Sequence, residues 1–163
     1  MSEFPTPSQT IGPFWAIGLP WAAPPTIDPE GIEIGGTLFD GAGAPVCDGL
    51  LELWDPCSGA FGACGTDAKG GFGFRAARPN GFDGHAPHWA LGVFARGLLC
   101  RVVTRIYIPD SPGNATDPVL NSITDPAVRA TMVASMVGDR LSDGLRFDVH
   151  LQGPQETAFL VWE

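Results

Sequence analysis

The chain has 163 residues, of which 44% are hydrophobic and 17% are charged, a composition that favours one folded domain over residues 1–163. Its net charge of −9 argues against a nucleic-acid partner, and no uninterrupted apolar run is long enough to span a bilayer. The first residues contain no basic segment followed by an apolar one, so we expect no secretory signal and a cytoplasmic location.

Residues 1–30 are rich in proline, which removes backbone donors and disfavours strand pairing. This segment is therefore predicted to be an extended arm. It also carries large apolar side chains that would be costly to leave in water, namely Phe14, Trp15, Ile17, Leu19 and Trp21. We therefore expect the arm to dock on the rest of the domain or on a partner subunit.

Short β-like segments separated by glycine and proline turns begin at Ile32. In chain order they are IEIGGTLF, GLLELWD, a strand within TDAKGGFGFRAARP, WALGVFA, LLCRVVTRIYI, LRFDVHLQ and TAFLVW. The strand within TDAKGGFGFRAARP is expected to place Phe72 and Phe74 on one face. Arg96 and Gly97 separate two of these segments, which predicts a hairpin. The segment LRFDVHLQ alternates strictly between apolar and polar residues, the period of a half-buried strand.

One helix is predicted over residues 124–137, TDPAVRATMVASMV. Thr124 or Asp125 would be its N-cap, Pro126 its first residue and Gly138 its stop. Several short strands with a single short helix indicate a mainly β protein, and a β-sandwich is the leading architecture.

The four cysteines fit no metal-binding spacing and are interpreted as buried or partly buried free thiols: Cys47, Cys57, Cys64 and Cys100. His85 and His88 lie in a proline-containing loop before a strand, where a hydrogen-bonded structural role is favoured over metal ligation. His150 lies on the polar face of its strand and is expected to be solvated. Arg96, at a hairpin tip, would ordinarily be a solvated charge.

Several segments together carry a resemblance to a known family: TPSQTIGPFWAIGL, LLELWDP, GFGFRAARP, APHWALGVFARGLLCRVVTRIYIPD, DPAVRATMVA and GLRFDVHLQGPQETAFL. Over residues 6–160 the chain resembles the alpha subunits of protocatechuate 3,4-dioxygenases, which are intradiol aromatic-ring dioxygenases. It is shorter than they are, chiefly around residues 56–66 and 78–85. The resemblance implies an intradiol-dioxygenase-type β-sandwich with an extended N-terminal arm.

The resemblance also implies where the metal lies. In this family Fe(III) is bound in the beta subunit by two tyrosinates and a His-x-His pair. In the present sequence His88 matches the first histidine, while Ala90, Phe82 and Phe61 fall on the other three ligand positions. Phenyl and methyl groups offer no lone pair, so we expect this chain to contain no metal ligand set and no catalytic residue. His88 would be a relic, in a pocket filled by apolar packing.

In the alpha subunits, the N-terminal segment and one arginine help to form the substrate pocket at the interface with the beta subunit. By position these residues are Thr10, Gly12, Pro13 and Arg96, with Arg96 facing the carboxylate of protocatechuate. The implied complex is an αβ hetero-oligomer that cleaves protocatechuate with O₂ to 3-carboxy-cis,cis-muconate.

Two alternatives remain open from the residues alone. The chain could be a scaffold that stabilises a partner without touching substrate. It could also be an independent metalloenzyme that uses His85, His88 and a carboxylate such as Asp83.

Overall fold

A computed structural model describes Gly12 and residues 24–161. Its strands, in chain order, are β1 (Ile32–Phe39), β2 (Leu50–Trp54), β3 (Phe61–Gly65), β4 (Gly71–Ala76), β5 (His88–Phe94), β6 (Val102–Tyr107), β7 (Ser135–Met136), β8 (Leu145–Arg146) and β9 (Val149–His150). Two five-residue helices, α1 (Pro118–Ser122) and α2 (Pro126–Ala130), lie between β6 and β7. Single 3₁₀ turns occupy Pro112–Ala115 and Leu141–Asp143.

The strands form two sheets. The first has the order β4-β1-β8-β7, and β9 also pairs with β1. The second is fully antiparallel, with the order β3-β2-β5-β6. The inner faces of both sheets meet in one apolar core that includes Ile34 and Phe74 from the first sheet and Leu53, Trp89 and Leu91 from the second. The prediction of a mainly β sandwich is confirmed.

Three sequence-based expectations about strands hold. β5 and β6 pair as an antiparallel hairpin around Arg96 and Gly97. Phe72 and Phe74 both face the core. Residues 145–150 alternate as expected, with Leu145, Phe147 and Val149 buried, although the segment pairs with β1 as two short pieces separated by residues 147–148.

The helix predicted over residues 124–137 is much shorter. Asp125 caps it as expected, accepting a hydrogen bond from the Ala127 backbone N–H at 2.8 Å, but α2 ends at Ala130. After a turn at residues 131–132, the chain pairs with the end of β6. Tyr107 N–H donates to the Met132 carbonyl at 2.9 Å, and Ala134 N–H donates to the Tyr107 carbonyl at 3.0 Å. Met132 and Ala134 are buried, so pairing with the end of β6 outweighs the helical pattern.

The elements β3, α1 and the two-residue strand β7 were not predicted, and two expectations about side chains were wrong. β3 contains two glycines, which hide a strand from propensity arguments, and α1 is a single turn. All four thiols are free, but only Cys64 is partly buried and the other three are exposed. His150 is half-buried and stacks on Phe39, with the ring centroids 4.8 Å apart.

Within the described residues, no helix has the length and apolar content that crossing a bilayer requires.

Candidate functional site

The outer face of the second sheet carries the positions that the resemblance singled out. On β5, Trp89 points into the core, so His88, Ala90 and Gly92 point outward by strand alternation. Ala90 lies opposite Trp54 of β2 and opposite Arg105 of β6. A cavity of about 510 Å³ lies over this face, and its mostly apolar lining includes Trp54, Phe61 and Ala90.

His88 is the first residue of β5, not a loop residue as expected, and it is buried. Its Nδ1 lies 2.7 Å from the Ala86 carbonyl oxygen. Because a carbonyl only accepts, Nδ1 carries the proton and donates. Burial lowers the pKa of His88, and the nearby Arg105 guanidinium acts in the same direction. The structural role predicted for His88 is therefore supported by its geometry.

The surroundings of His88 are polar on one side, which contradicts the expected apolar filling. Its ring lies against Tyr107, with centroids 5.2 Å apart. The Tyr107 hydroxyl donates to Asp117 Oδ1 at 2.9 Å and accepts from Arg105 at 3.0 Å. Arg105 also donates to His85 Nδ1 at 3.0 Å. Burial raises the pKa of Tyr107, so its proton stays in place to bridge the two charged groups.

Asp117 is the centre of this polar cluster. Its fully buried carboxylate accepts hydrogen bonds from the backbone N–H groups of Ala86, Val119 and Leu120 at 2.8–3.0 Å. Burial opposes ionisation of Asp117, but the N–H donors of Leu120 and Ala86 and the Tyr107 hydroxyl outweigh it, so its pKa is lowered. The sequence interpretation missed this residue, although Asp117–Pro118 repeats the cap-and-proline pattern seen at Asp125–Pro126.

The residues at the four expected ligand positions do not fit a ferric ion. Phe61 and Phe82 are 43% and 50% exposed, Ala90 is a methyl group in the sheet, and only His88 has a lone pair to offer. Asp83, the carboxylate of the metalloenzyme alternative, is exposed in a turn with positive φ. Among residues 24–161, no three His, Cys, Asp or Glu side chains are grouped as a metal site would require.

Arg96 lies at the opposite end of β5 from His88. Arg96 lies in the turn that follows β5, and the strand itself spans roughly 20 Å from His88 to Phe94 at the usual rise per residue. The Arg96 side chain is 63% exposed, and its Nε lies 2.6 Å from Asp48 Oδ2. The structure therefore does not bring Arg96 into the cavity over Ala90, and it serves a different surface.

The remaining predicted pocket residues belong to the arm. Thr10 and Pro13 lie outside the described residues. Gly12 is exposed, and a Cβ added to it would meet no atom within 4 Å. Their placement against Arg96 or a partner stays a prediction.

Curated relatives match nearly the whole chain. An alpha chain of protocatechuate 3,4-dioxygenase from Burkholderia cepacia is 36% identical over 190 aligned residues, covering 94% of this chain and 95% of the relative. This chain belongs to the protocatechuate 3,4-dioxygenase alpha-chain family. The alpha chain from Pseudomonas putida is 32% identical, with 94% of each chain covered. The family assignment makes this chain an intradiol dioxygenase subunit, and it confirms the resemblance seen in the sequence.

A beta chain is a more distant relative. The beta chain from Burkholderia cepacia is 27% identical, covering 78% of this chain and 67% of the relative. Among solved structures, the dioxygenase domain of a carbohydrate-binding fusion protein from Streptomyces sp. SirexAA-E aligns with a TM-score of 0.64 and 23% identity, covering 92% and 99% of the two chains. That likeness shows a shared fold. No family model matches the chain.

The titration of His88 predicts a pH dependence of stability. Its folded pKa lies below the unfolded value of about 6.5, so the unfolded chain takes up a proton first on acidification. The contribution of neutral His88 is fully present above about pH 6.5 and is lost as the pH falls through the lower folded pKa. His88→Asn keeps a side-chain donor near the Ala86 carbonyl but cannot titrate.

We therefore expect the free energy of unfolding, measured in urea, to fall less steeply between about pH 6.5 and 5 in His88→Asn than in the original protein. His150→Asn is the control for losing an imidazole elsewhere in the domain. Equal slopes for His88→Asn and the original protein would contradict the assignment of a buried neutral His88.

Proposed function

We propose that this chain is the iron-free alpha subunit of an αβ protocatechuate 3,4-dioxygenase and that Fe(III) is held by its beta subunit. Support comes from the donor set: three of the four family ligand positions here are Phe61, Phe82 and Ala90, and none can coordinate a metal. The relatives include both an alpha and a beta chain, consistent with a hetero-oligomer. The chain would have no dioxygenase activity without its partner.

In this proposal the chain supplies the carboxylate side of the substrate pocket. Arg96 would bind the ring carboxylate of protocatechuate, and Thr10, Gly12 and Pro13 would shape the adjoining wall. The observation that carries this proposal is the position of Arg96. Arg96 is an exposed guanidinium in the turn that follows β5, at the far end of that strand from His88, and this placement supports a role at a reaction centre held by another chain.

The chemistry of the substrate requires such a group. The complex would cleave the ring of protocatechuate between its hydroxyls with O₂, giving 3-carboxy-cis,cis-muconate, and the carboxylate must be desolvated when the ring enters the pocket. An uncompensated buried carboxylate is costly, and a guanidinium offers two parallel donors that match its oxygens. On a chain with a net charge of −9, Arg96 would also provide local attraction for an anion.

The complex would work in the cytoplasm, where the four unpaired thiols of this chain remain reduced. Neither a nucleic acid nor a membrane is proposed as a partner.

Arg96→Ala in the complex co-expressed with its beta subunit tests the proposal. We expect the KM for protocatechuate to rise about 10- to 100-fold with little change in kcat, the loss of one charge-assisted hydrogen-bonded pair of roughly 1.5–3 kcal/mol. Arg101→Ala is the matched control, because Arg101 is similarly exposed and ion-paired, with Glu52 at 3.3 Å. Size-exclusion chromatography reports assembly.

Unchanged kinetics for Arg96→Ala in an intact complex would contradict the pocket role. That result would favour the scaffold alternative, in which the chain stabilises its partner and touches no substrate.

A further inference from the structure

We propose that Asp48 is a positioning residue for substrate binding, which holds the Arg96 guanidinium by its Nε edge and leaves the two terminal nitrogens free for a carboxylate. This inference rests on the proposed function of Arg96. It adds a residue that neither the sequence pattern nor the family resemblance singled out.

The pairing of β2 with β5 sets this contact. Leu50 lies opposite Phe94 at the end of the β2–β5 ladder, and Asp48 and Arg96 lie in the turns two residues beyond this pair. Their side chains meet with Arg96 Nε 2.6 Å from Asp48 Oδ2. The end of the ladder between these two central strands therefore brings Asp48 and Arg96 near each other.

The two partners differ in exposure. The Arg96 side chain is 63% exposed and the Asp48 side chain only 16%. Both carboxylate oxygens of Asp48 are buried and accept no hydrogen bond from the described residues, so the contact with Arg96 is an ion pair. Within residues 24–161 Arg96 is the only cation that lies within 4 Å of them. Asp48 is thus a fixed anchor, and Arg96 projects from it toward solvent.

Asp48 contacts only one edge of the Arg96 guanidinium, the edge that carries Nε. Arginine has a planar fork of donors, and its two terminal nitrogens match the oxygens of a carboxylate. The contact with Asp48 uses Nε, and no described residue hydrogen-bonds the terminal nitrogens of Arg96. Because a free arginine loses rotamer entropy on binding, an arginine held beforehand by Asp48 binds an anion at lower entropic cost.

The direction of the change in anion affinity distinguishes a positioning role for Asp48 from a purely electrostatic effect of its charge. Removing a negative charge beside Arg96 would, by electrostatics alone, strengthen anion binding. Removing a residue that holds Arg96 in place would instead weaken anion binding. Asp48→Asn removes the charge and keeps the size and polarity of the side chain, whereas Asp48→Ala and the similarly sized Asp48→Leu remove both the charge and the polar atoms.

The test measures competitive inhibition of the αβ complex by 4-hydroxybenzoate, which has a carboxylate, and by phenol, which has none. We expect Asp48→Ala and Asp48→Leu to weaken inhibition by 4-hydroxybenzoate about two- to tenfold and to leave phenol unchanged, the cost of immobilising one long side chain. Asp48→Asn, which also removes the charge that pairs with Arg96, should weaken this inhibition to a similar extent. In an Arg96→Ala background, Asp48→Ala should have no further effect. Glu52→Ala, which breaks the Glu52–Arg101 pair on the same sheet, is the control.

Two outcomes would overturn the inference, and they are distinguishable. If Arg96→Ala weakens 4-hydroxybenzoate but neither Asp48→Ala nor Asp48→Leu does so, Asp48 is not a positioning residue and the proposed function stands. If Arg96→Ala itself leaves 4-hydroxybenzoate inhibition unchanged, the proposed function fails and the role of Asp48 fails with it.

Discussion

Replacing Asp117 with alanine is expected to lower the free energy of unfolding by about 3–5 kcal/mol, the range for removing one partner from a buried charged network. The carboxylate accepts from Ala86, Val119 and Leu120 N–H groups and from the Tyr107 hydroxyl. Alanine would leave these donors buried without an acceptor, at a cost of roughly 1–3 kcal/mol for each that water cannot reach. Arg105 would also lose the nearest negative charge in the cluster.

Asp125→Ala is the matched control, because Asp125 caps a helix of the same length but is exposed. We expect it to cost only about 1 kcal/mol, the usual value for an exposed N-cap. Asp117→Asn should fall between the two, since its amide oxygen still accepts while its NH₂ group faces donors. Urea unfolding of the three variants measures these differences. Similar losses for Asp117→Ala and Asp125→Ala would contradict a central role for Asp117.

The lowered pKa of Asp117 predicts a further loss of stability at strongly acidic pH. Its folded pKa lies below the unfolded value of about 3.9, so its contribution is present above that pH and is lost as the pH falls through the lower folded value. This window lies below the one assigned to His88. The two acid-labile groups of one cluster should therefore act in sequence on acidification.

The parts of the fold that could be predicted are those in which local pattern and final burial agree. β1, the β5–β6 hairpin and the alternation of residues 145–150 all follow from apolar periodicity and turn residues. The helix over 124–137 was overestimated because residues 132–134 are held by hydrogen bonds to Tyr107, a partner some 25 positions away that no local rule includes. β3 was missed because its stability comes from pairing with β2.

The candidate site likewise has one part that could be predicted from the sequence and another that could not. The absence of oxygen or nitrogen donors at Phe61, Phe82 and Ala90 could be recognised from the sequence once the resemblance was seen, since it depends only on residue type. The polar cluster could not, because Asp117 reaches Ala86 across 31 positions of sequence. The contact of Asp48 with Arg96 depends on the register between two strands, and register is known only from the structure.

Gly36→Ala is expected to destabilise the protein by about 3 kcal/mol or more, the upper range for overpacking a buried site. Gly36 lies in β1, the strand that pairs with β4, β8 and β9. A Cβ at this position would overlap the carbonyl oxygen of Phe147 and would lie 2.8 Å from the Phe72 ring. The first of these atoms is backbone, so rotation of a side chain cannot relieve the overlap.

Gly35→Ala is a control on the same strand, one residue earlier. A Cβ there would meet its nearest atom, the Phe72 carbonyl oxygen, at 3.7 Å, an ordinary contact. Because alanine also restricts the unfolded chain, this change should be neutral or stabilising by up to about 1 kcal/mol. Comparable unfolding midpoints in urea for the two variants would contradict the close approach of β1 to Phe147. A loss confined to Gly36→Ala would show that this glycine is required where the carbonyl of Phe147, between the parallel strands β8 and β9, closely approaches β1.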